Sequence, residues 1–325
     1  MTQNWQQQLQ SAIKTPEALL QYLDLSKEHH NISQFGHQQF TTKVPLSFVN
    51  RMQKGDINDP LLKQVIPLTD EEISVPDYLL DPLNESAHNP IPGMLHKYHG
   101  RILMTLTSTC AINCRYCFRR HFDYANNNVG RSGWNAIFDY IKQHPEIHEV
   151  ILSGGDPLMV NDQLLHQFTQ LLNQYQQIKT LRIHSRMPIV LPARIDHSFL
   201  DWIDAQPFNL IIVVHCNHPQ ELNNEVYTAI QQLKQKNVTI LNQSVLMKGI
   251  NDNADTLIAL SHRLFDMQIL PYYLHQMDKV QNAKHFAVSD IVALNLHQQL
   301  QAYLPGYLVP KLVREIAGKK NKTLL

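Results

Sequence analysis

The chain has 325 residues, enough to bury one large core with an extension. Its 28 Lys and Arg balance its 28 Asp and Glu, and a formal charge of zero argues against broad electrostatic binding of nucleic acid or an anionic membrane. Four cysteines, three of them in one short stretch, suit a reducing compartment and a metal site, not a disulfide framework.

The start, Met1-Thr-Gln-Asn-Trp-Gln-Gln-Gln8, has no basic segment followed by an apolar one, so no secretory leader is expected. No apolar run approaches the roughly 20 residues of a membrane helix, and a cytoplasmic location is expected. Residues 1–95 read as a helical extension and connector. Thr15-Pro16-Glu17 is a helix start: a cap, proline in the first turn, then an acid. Phe48 to Met52 and Leu61 to Val65 look like short helical pieces, and prolines at 76, 82, 90 and 92 mark an irregular connector laid against the main domain.

From residue 101 strands and helices alternate. Strands are expected at 102–107, 148–153, 179–185, 209–215, 237–243 and 269–276. Helices are expected near 133–143, 161–174, 197–205, 220–235, 254–266 and 288–303. This pattern implies a parallel sheet with right-handed crossovers. Six repeats are too few for a closed eight-stranded barrel. The expected fold is α/β, an open (β/α)6 barrel over residues 96–303, with a C-terminal tail over 304–325.

The chemistry centres on Thr105-Leu-Thr-Ser-Thr-Cys110-Ala-Ile-Asn-Cys114-Arg-Tyr-Cys117-Phe-Arg-Arg-His121. Three thiols at C-x3-C-x2-C, just past a strand, can bind one soft metal centre. Three ligands do not close a four-coordinate structural site. Cys216, after a β-rich run, is a candidate fourth ligand, although a free cysteine often packs as a small apolar residue. The next strand ends in Ser153-Gly154-Gly155-Asp156-Pro157, where two glycines permit close approach to the backbone. Polar residues also fall at later strand mouths: His184 and Arg186, His215 and His218, Gln243 and Ser244.

The cysteine spacing resembles the signature of radical S-adenosylmethionine (SAM) enzymes, in which three cysteines hold a 4Fe-4S cluster and the open iron binds SAM. The set of motifs in order, over roughly residues 75–325, resembles the lysine 2,3-aminomutase family. That resemblance implies a cluster, SAM and pyridoxal 5'-phosphate (PLP), and an isomerase that moves the α-amino group of lysine to the β-carbon. It implies Cys110, Cys114 and Cys117 as cluster ligands, and Gly154, Gly155 and Asp156 as the SAM-facing motif. Lys97 and Arg101 match positions that hold the PLP phosphate; Lys97 is arginine in longer members, and lysine lacks the bidentate fork. His215 and Gln243 match further cofactor-pocket positions. Arg119 matches the residue that pairs with the substrate carboxylate, and Asp278 an acid that holds the ε-ammonium. Glu315 falls where a second such acid is usually aspartate. Lys322 matches the lysine that carries PLP covalently, with Lys319 and Lys320 as alternatives because the usual glycine run is reduced to Gly318.

The short chain looks most like the bacterial branch that makes (R)-β-lysine for the modification of elongation factor P. The implied partners are that factor with its lysyl ligase, a reducing electron donor and a second copy of the chain in a homo-oligomer. Rival readings are a free-standing amino-acid 2,3-aminomutase of metabolism and a zinc-bearing nucleic-acid module. The latter lacks a second cysteine pair and a basic net charge.

Overall fold

The computed structural model describes residues 4–26, 31–123, 127 and 131–325; residues 1–3, where the N-terminal reading begins, lie outside the described residues. One sheet organises the molecule. Its nine strands lie side by side in chain order: β1 Met94–Tyr98, β2 Arg101–Thr105, β3 Glu149–Ser153, β4 Thr180–Ser185, β5 Asn209–His215, β6 Thr239–Leu246, β7 Leu270–Gln276, β8 Lys311–Arg314 and β9 Thr323–Leu324. Strands β2 to β8 are parallel, and β1 and β9 add antiparallel edges. The two edges do not pair with each other, so the barrel is open.

The six expected strands are β2 to β7. The sheet is wider than expected because β8 extends the parallel run to seven and two short strands flank it. Strand β1 belongs to a hairpin with β2, and Gly100 turns it at φ 74. A side chain at Gly100 would meet the His148 ring at 2.4 Å. Strands β8 and β9, of four and two residues, are too short to show a periodic pattern.

The crossover helices follow the expected places. Asp162–Leu172, Asn224–Gln235 and Ala254–Asp266 each begin on an asparagine cap: Asn161, Asn223 and Asn253 accept from the backbone N–H three residues on, at 2.8, 3.1 and 2.9 Å. Each helix then turns one apolar stripe inward. Leu165, Phe168 and Leu172 do this in the first helix, and Val226, Ile230 and Leu233 in the second. The last helix, Asp290–Tyr303, leads into β8.

The N-terminal residues pack as part of the same core. Leu19, Leu20, Phe48, Leu61 and Leu62 are buried within the barrel's main hydrophobic cluster. Leu46–Val49 and Pro60–Lys63 are the short helices expected there. They also bind the cysteine loop: Arg115 N–H donates to Gln64 O at 2.8 Å, and Lys43 Nζ to Cys110 O at 2.7 Å. Among the described residues, no helix is long and apolar enough to cross a membrane.

Candidate active site

Side chains two apart on a strand share a face. The inward set runs Arg101 and Leu103 on β2, Ile151 and Ser153 on β3, Arg182 and His184 on β4, Leu241 and Gln243 on β6, and Tyr273 and His275 on β7. Together they line one cavity of about 770 Å³. The loops after the strands complete it. The residues that the family resemblance assigns to the site all line this cavity: Cys110, Cys114, Cys117, Gly154, Gly155, Asp156, Lys97, Arg101, Arg119, His215, Gln243, Asp278, Glu315 and Lys322, whereas His218 and Ser244, also noted at strand mouths, do not.

At one end is the cysteine loop. Burial pushes the Cys110 thiol well up, helped by the charge of Asp156, and pushes Cys117 up to about 11. Arg186 approaches from the β4 end: it donates to Cys114 Sγ, to Gln64 Oε1 at 2.6 Å and to Glu221 Oε2 at 3.0 Å. The two glycines have a reason beyond ligand approach. A Cβ on Gly154, at φ 110, would lie 2.7 Å from Thr105 Cγ2, and one on Gly155 would lie 2.6 Å from Thr107 O. The β3 turn therefore presses directly on the cysteine loop, with Gly155 N–H to Thr107 O at 3.2 Å and Asp156 N–H to Thr109 O at 2.9 Å. Asp156 accepts from Ser185 Oγ at 2.6 Å and from the N–H groups of Leu158, Arg186 and Met187 at 3.0, 2.8 and 3.2 Å. Its carboxylate fastens the β3 and β4 loops together. Cys216 does not line the cavity. It is buried in the core with its thiol on His218 O at 3.4 Å.

The wall between the cysteine loop and the tail carries a row of alternating charge. Arg119 holds Glu85 through two bonds of 2.7 Å. Lys97 lies 3.4 Å from both Glu85 and Glu315. Glu315 pairs with Lys322 at 2.5 Å. Burial would raise Glu315, but Lys322 and Lys97 outweigh it and hold the carboxyl down to about 2. Glu85 is likewise held below its usual value by Arg119 and Lys97 against the effect of burial. Asp278 goes the other way: burial, then the charge of Glu315, lifts it to about 7. Of the three tail lysines, Lys322 lines the cavity, while Lys319 and Lys320 are exposed. Arg101 stacks on Tyr98 at 4.8 Å, and the neighbouring Arg182 pairs with Glu149 at 2.9 Å.

Three histidines face the same space. Burial lowers His215 and His275 to about 3 and His184 well below its usual value, so all three are neutral at pH 7. His215 Nε2 meets the Gln243 amide at 2.7 Å. His184 Nε2 and His275 Nε2 are buried without a hydrogen-bond partner. Glu85, Arg182 and His275 were not singled out from the sequence. Arg182 and His275 carry a usable signal, being polar and two residues from another polar position on an apolar strand. Glu85 carries none that is local.

The family model for a 4Fe-4S single cluster domain matches residues 99–185, which hold the three loop cysteines and the Gly-Gly-Asp turn. The chain is 44% identical over 324 residues to L-lysine 2,3-aminomutase of Escherichia coli, covering 99% of this chain and 94% of that one. It is 45% identical over 322 residues to L-lysine 2,3-aminomutase of Haemophilus influenzae, covering 99% and 95%. This chain belongs to the L-lysine 2,3-aminomutase family. As a member of that family the chain is an isomerase, and its sheet follows the radical SAM architecture. A radical SAM methyltransferase from Sphaerobacter thermophilus superposes with a TM-score of 0.50 over 68% of each chain, at 15% identity, which is a likeness of fold alone.

Membership implies a 4Fe-4S cluster, SAM and PLP, and the residues of the aminomutase fit them. Three thiols gathered on one loop are a soft donor set for one metal centre, and Cys110 and Cys117, whose thiols burial pushes up, gain most from a cation beside them. The bare His184 and His275 nitrogens are buried polar groups that a ligand with its own partners would satisfy.

Proposed function

We propose that the chain converts L-α-lysine to (R)-β-lysine. The observation that carries this reading is that three thiols, an arginine, two acids and one tail lysine, drawn from distant segments, line a single cavity. When bound, the cluster with SAM supplies one-electron hydrogen abstraction, and PLP supplies a π system through which an amine can migrate. The rest is the work of this chain. Cys110, Cys114 and Cys117 hold the cluster, and Gly154 and Gly155 offer backbone to SAM, with Asp156 fixing their turn. Lys322 carries PLP; Lys97 and Arg101 serve its phosphate, and His215 and Gln243 its ring. Arg119 receives the substrate carboxylate, and Asp278 with Glu315 receives the ε-ammonium, which stretches lysine between two charged anchors. The apolar wall, including Leu83, Leu95 and Ile151, keeps water from the reacting carbons.

The division proposed is an N-terminal extension over 1–95, a catalytic core over 96–303 and a PLP-lysine tail over 304–325. The product is proposed to serve elongation factor P through its lysyl ligase. The support for this is the resemblance of the sequence motifs to the shorter bacterial branch of the family. A cytoplasmic homo-oligomer with a low-potential electron donor completes the proposal. The test is an anaerobic assay with reconstituted cluster, SAM, PLP, reductant and L-lysine. β-Lysine should accumulate only in the complete mixture; its absence from a cluster-loaded, PLP-loaded enzyme would refute the reading.

A further inference from the structure

Glu85 lies in the proline-punctuated connector, yet it is 3% exposed and lines the cavity. Both carboxylate oxygens accept from Arg119, Nε to Oε2 at 2.7 Å and Nη2 to Oε1 at 2.7 Å. A side-on fork of this kind fixes the plane of a guanidinium as well as its distance. Lys97 stands 3.4 Å from Oε1 on the other side. The turn that presents Glu85 is itself fixed. Asn84 adopts the left-handed conformation at φ 49. Asp81 accepts from the N–H of Glu85 at 3.0 Å and of Ser86 at 3.3 Å.

We infer that Glu85 is a positioning residue for the substrate's α-carboxylate: by holding Nε and Nη2 of Arg119 it turns the outer, Nη1–Nη2 edge of the guanidinium toward the bound amino acid. The inference rests on the reading of Arg119 as the carboxylate anchor and adds what aims it. The alternative is that Glu85 is a stand-in carboxylate that the substrate displaces. Two observations weigh against displacement. Leaving Arg119 would cost a buried carboxylate both of its 2.7 Å bonds and leave it only Lys97 at 3.4 Å, and the Asp81 bonds fix the backbone from which Glu85 reaches. A guanidinium also has five N–H donors. Arg119 Nη1 also meets Ser153 Oγ at 3.2 Å, so the fork on Glu85 does not exhaust its donors. Lys97, between Glu85 and Glu315, then holds two acids in place, a role for which a lysine's point charge is suited without a fork.

The experiment uses the enzyme loaded with cluster and PLP but without reductant, so that nothing turns over. L-Lysine and L-lysinamide, which lacks the carboxylate, are titrated by calorimetry into wild type, Glu85→Gln, Glu85→Asp and Arg119→Gln. Glu85→Gln should weaken lysine by about tenfold or more and change lysinamide by less than about twofold. In turnover assays it should raise KM with kcat nearly kept, the sign of a lost binding interaction. Glu85→Asp keeps the charge on a shorter arm and should fall between the two. It carries the test if the glutamine variant does not fold. Unchanged or tighter lysine binding in Glu85→Gln would overturn the inference in favour of displacement. Equal weakening of lysine and lysinamide would overturn it in favour of a merely structural pair. Arg119→Gln separates the two levels. If it spares the preference for lysine over lysinamide, the carboxylate anchor itself is misplaced and the inference falls with it. If it abolishes that preference while Glu85→Gln does not, the role of Glu85 alone is refuted.

Discussion

The cysteine-loop end of the cavity comes from one stretch of chain and the turns that touch it, whereas the charged wall is assembled from Glu85, Lys97, Arg119, Asp278, Glu315 and Lys322, spread over most of the sequence. The first end is held by backbone: the β3 turn meets the loop through glycines that admit no side chain, and Asp156 spends its carboxylate on hydroxyl and N–H donors. The second is held by charge, in the order Arg119, Glu85, Lys97, Glu315, Lys322. A cluster needs a fixed cradle. A substrate and a cofactor bring charges of their own, and here they meet ions each already held by a neighbour of opposite sign.

The sharpest contrast should come from the thiols. Replacing Cys110, Cys114 or Cys117 with alanine should abolish cluster assembly and SAM cleavage, read as iron content and 5'-deoxyadenosine formed. Cys216→Ala should keep its iron, because that thiol sits in the core facing His218 O. Iron loss in Cys216→Ala would erase the distinction between loop and core thiols.

A smaller effect is expected at the charged wall. Asp278→Asn should weaken lysine by about tenfold, the size of one buried charged hydrogen bond. Its pH dependence has a definite sign. With the carboxyl raised to about 7, Asp278 is neutral below that pH and charged above it, so lysine affinity in the wild type should fall as pH drops through about 7. Asp278→Asn should flatten that step. A wild-type affinity that is level from pH 6 to pH 8 would count against Asp278 as an ammonium site.

The smallest effect probes the backbone cradle. Gly155→Ala places a methyl 2.6 Å from Thr107 O and 2.8 Å from Thr109 N. Overpacking against backbone costs about 1–3 kcal/mol, so the variant should lose a few degrees of thermal stability and part of its iron while keeping its affinity for lysine. Lysine binding that collapses along with the iron would mean that the two ends are not independent.

The same contrast explains what the sequence made legible. The thiols and the Gly-Gly-Asp turn are local patterns, and the six strands β2 to β7 follow from apolar runs of ordinary length. Asp278, Glu315 and Lys322 have no local signature; they were reached through resemblance, since a basic tail after Gly318 reads by itself as solvated. Glu315 and Lys322 lie beside β8 and β9, which are too short to be periodic, while Asp278 follows β7 in a loop. Glu85 was missed because an acid among prolines in a connector looks exposed. Its burial depends on Arg119 and Lys97, 34 and 12 residues away. Arg182 and His275 could have been found from the two-residue period of their strands, because His184 and Tyr273 mark the same inward faces.

The tail lines the cavity, and the proposed function has it bring Lys322, not Lys319 or Lys320, to the PLP. Borohydride reduction of the PLP-loaded enzyme, followed by peptide mapping, tests it directly. The pyridoxyl label should land on Lys322, and Lys322→Ala should lose the label and the visible PLP absorption while retaining its iron. A label on Lys319 or Lys320, or none in the tail, would contradict the account.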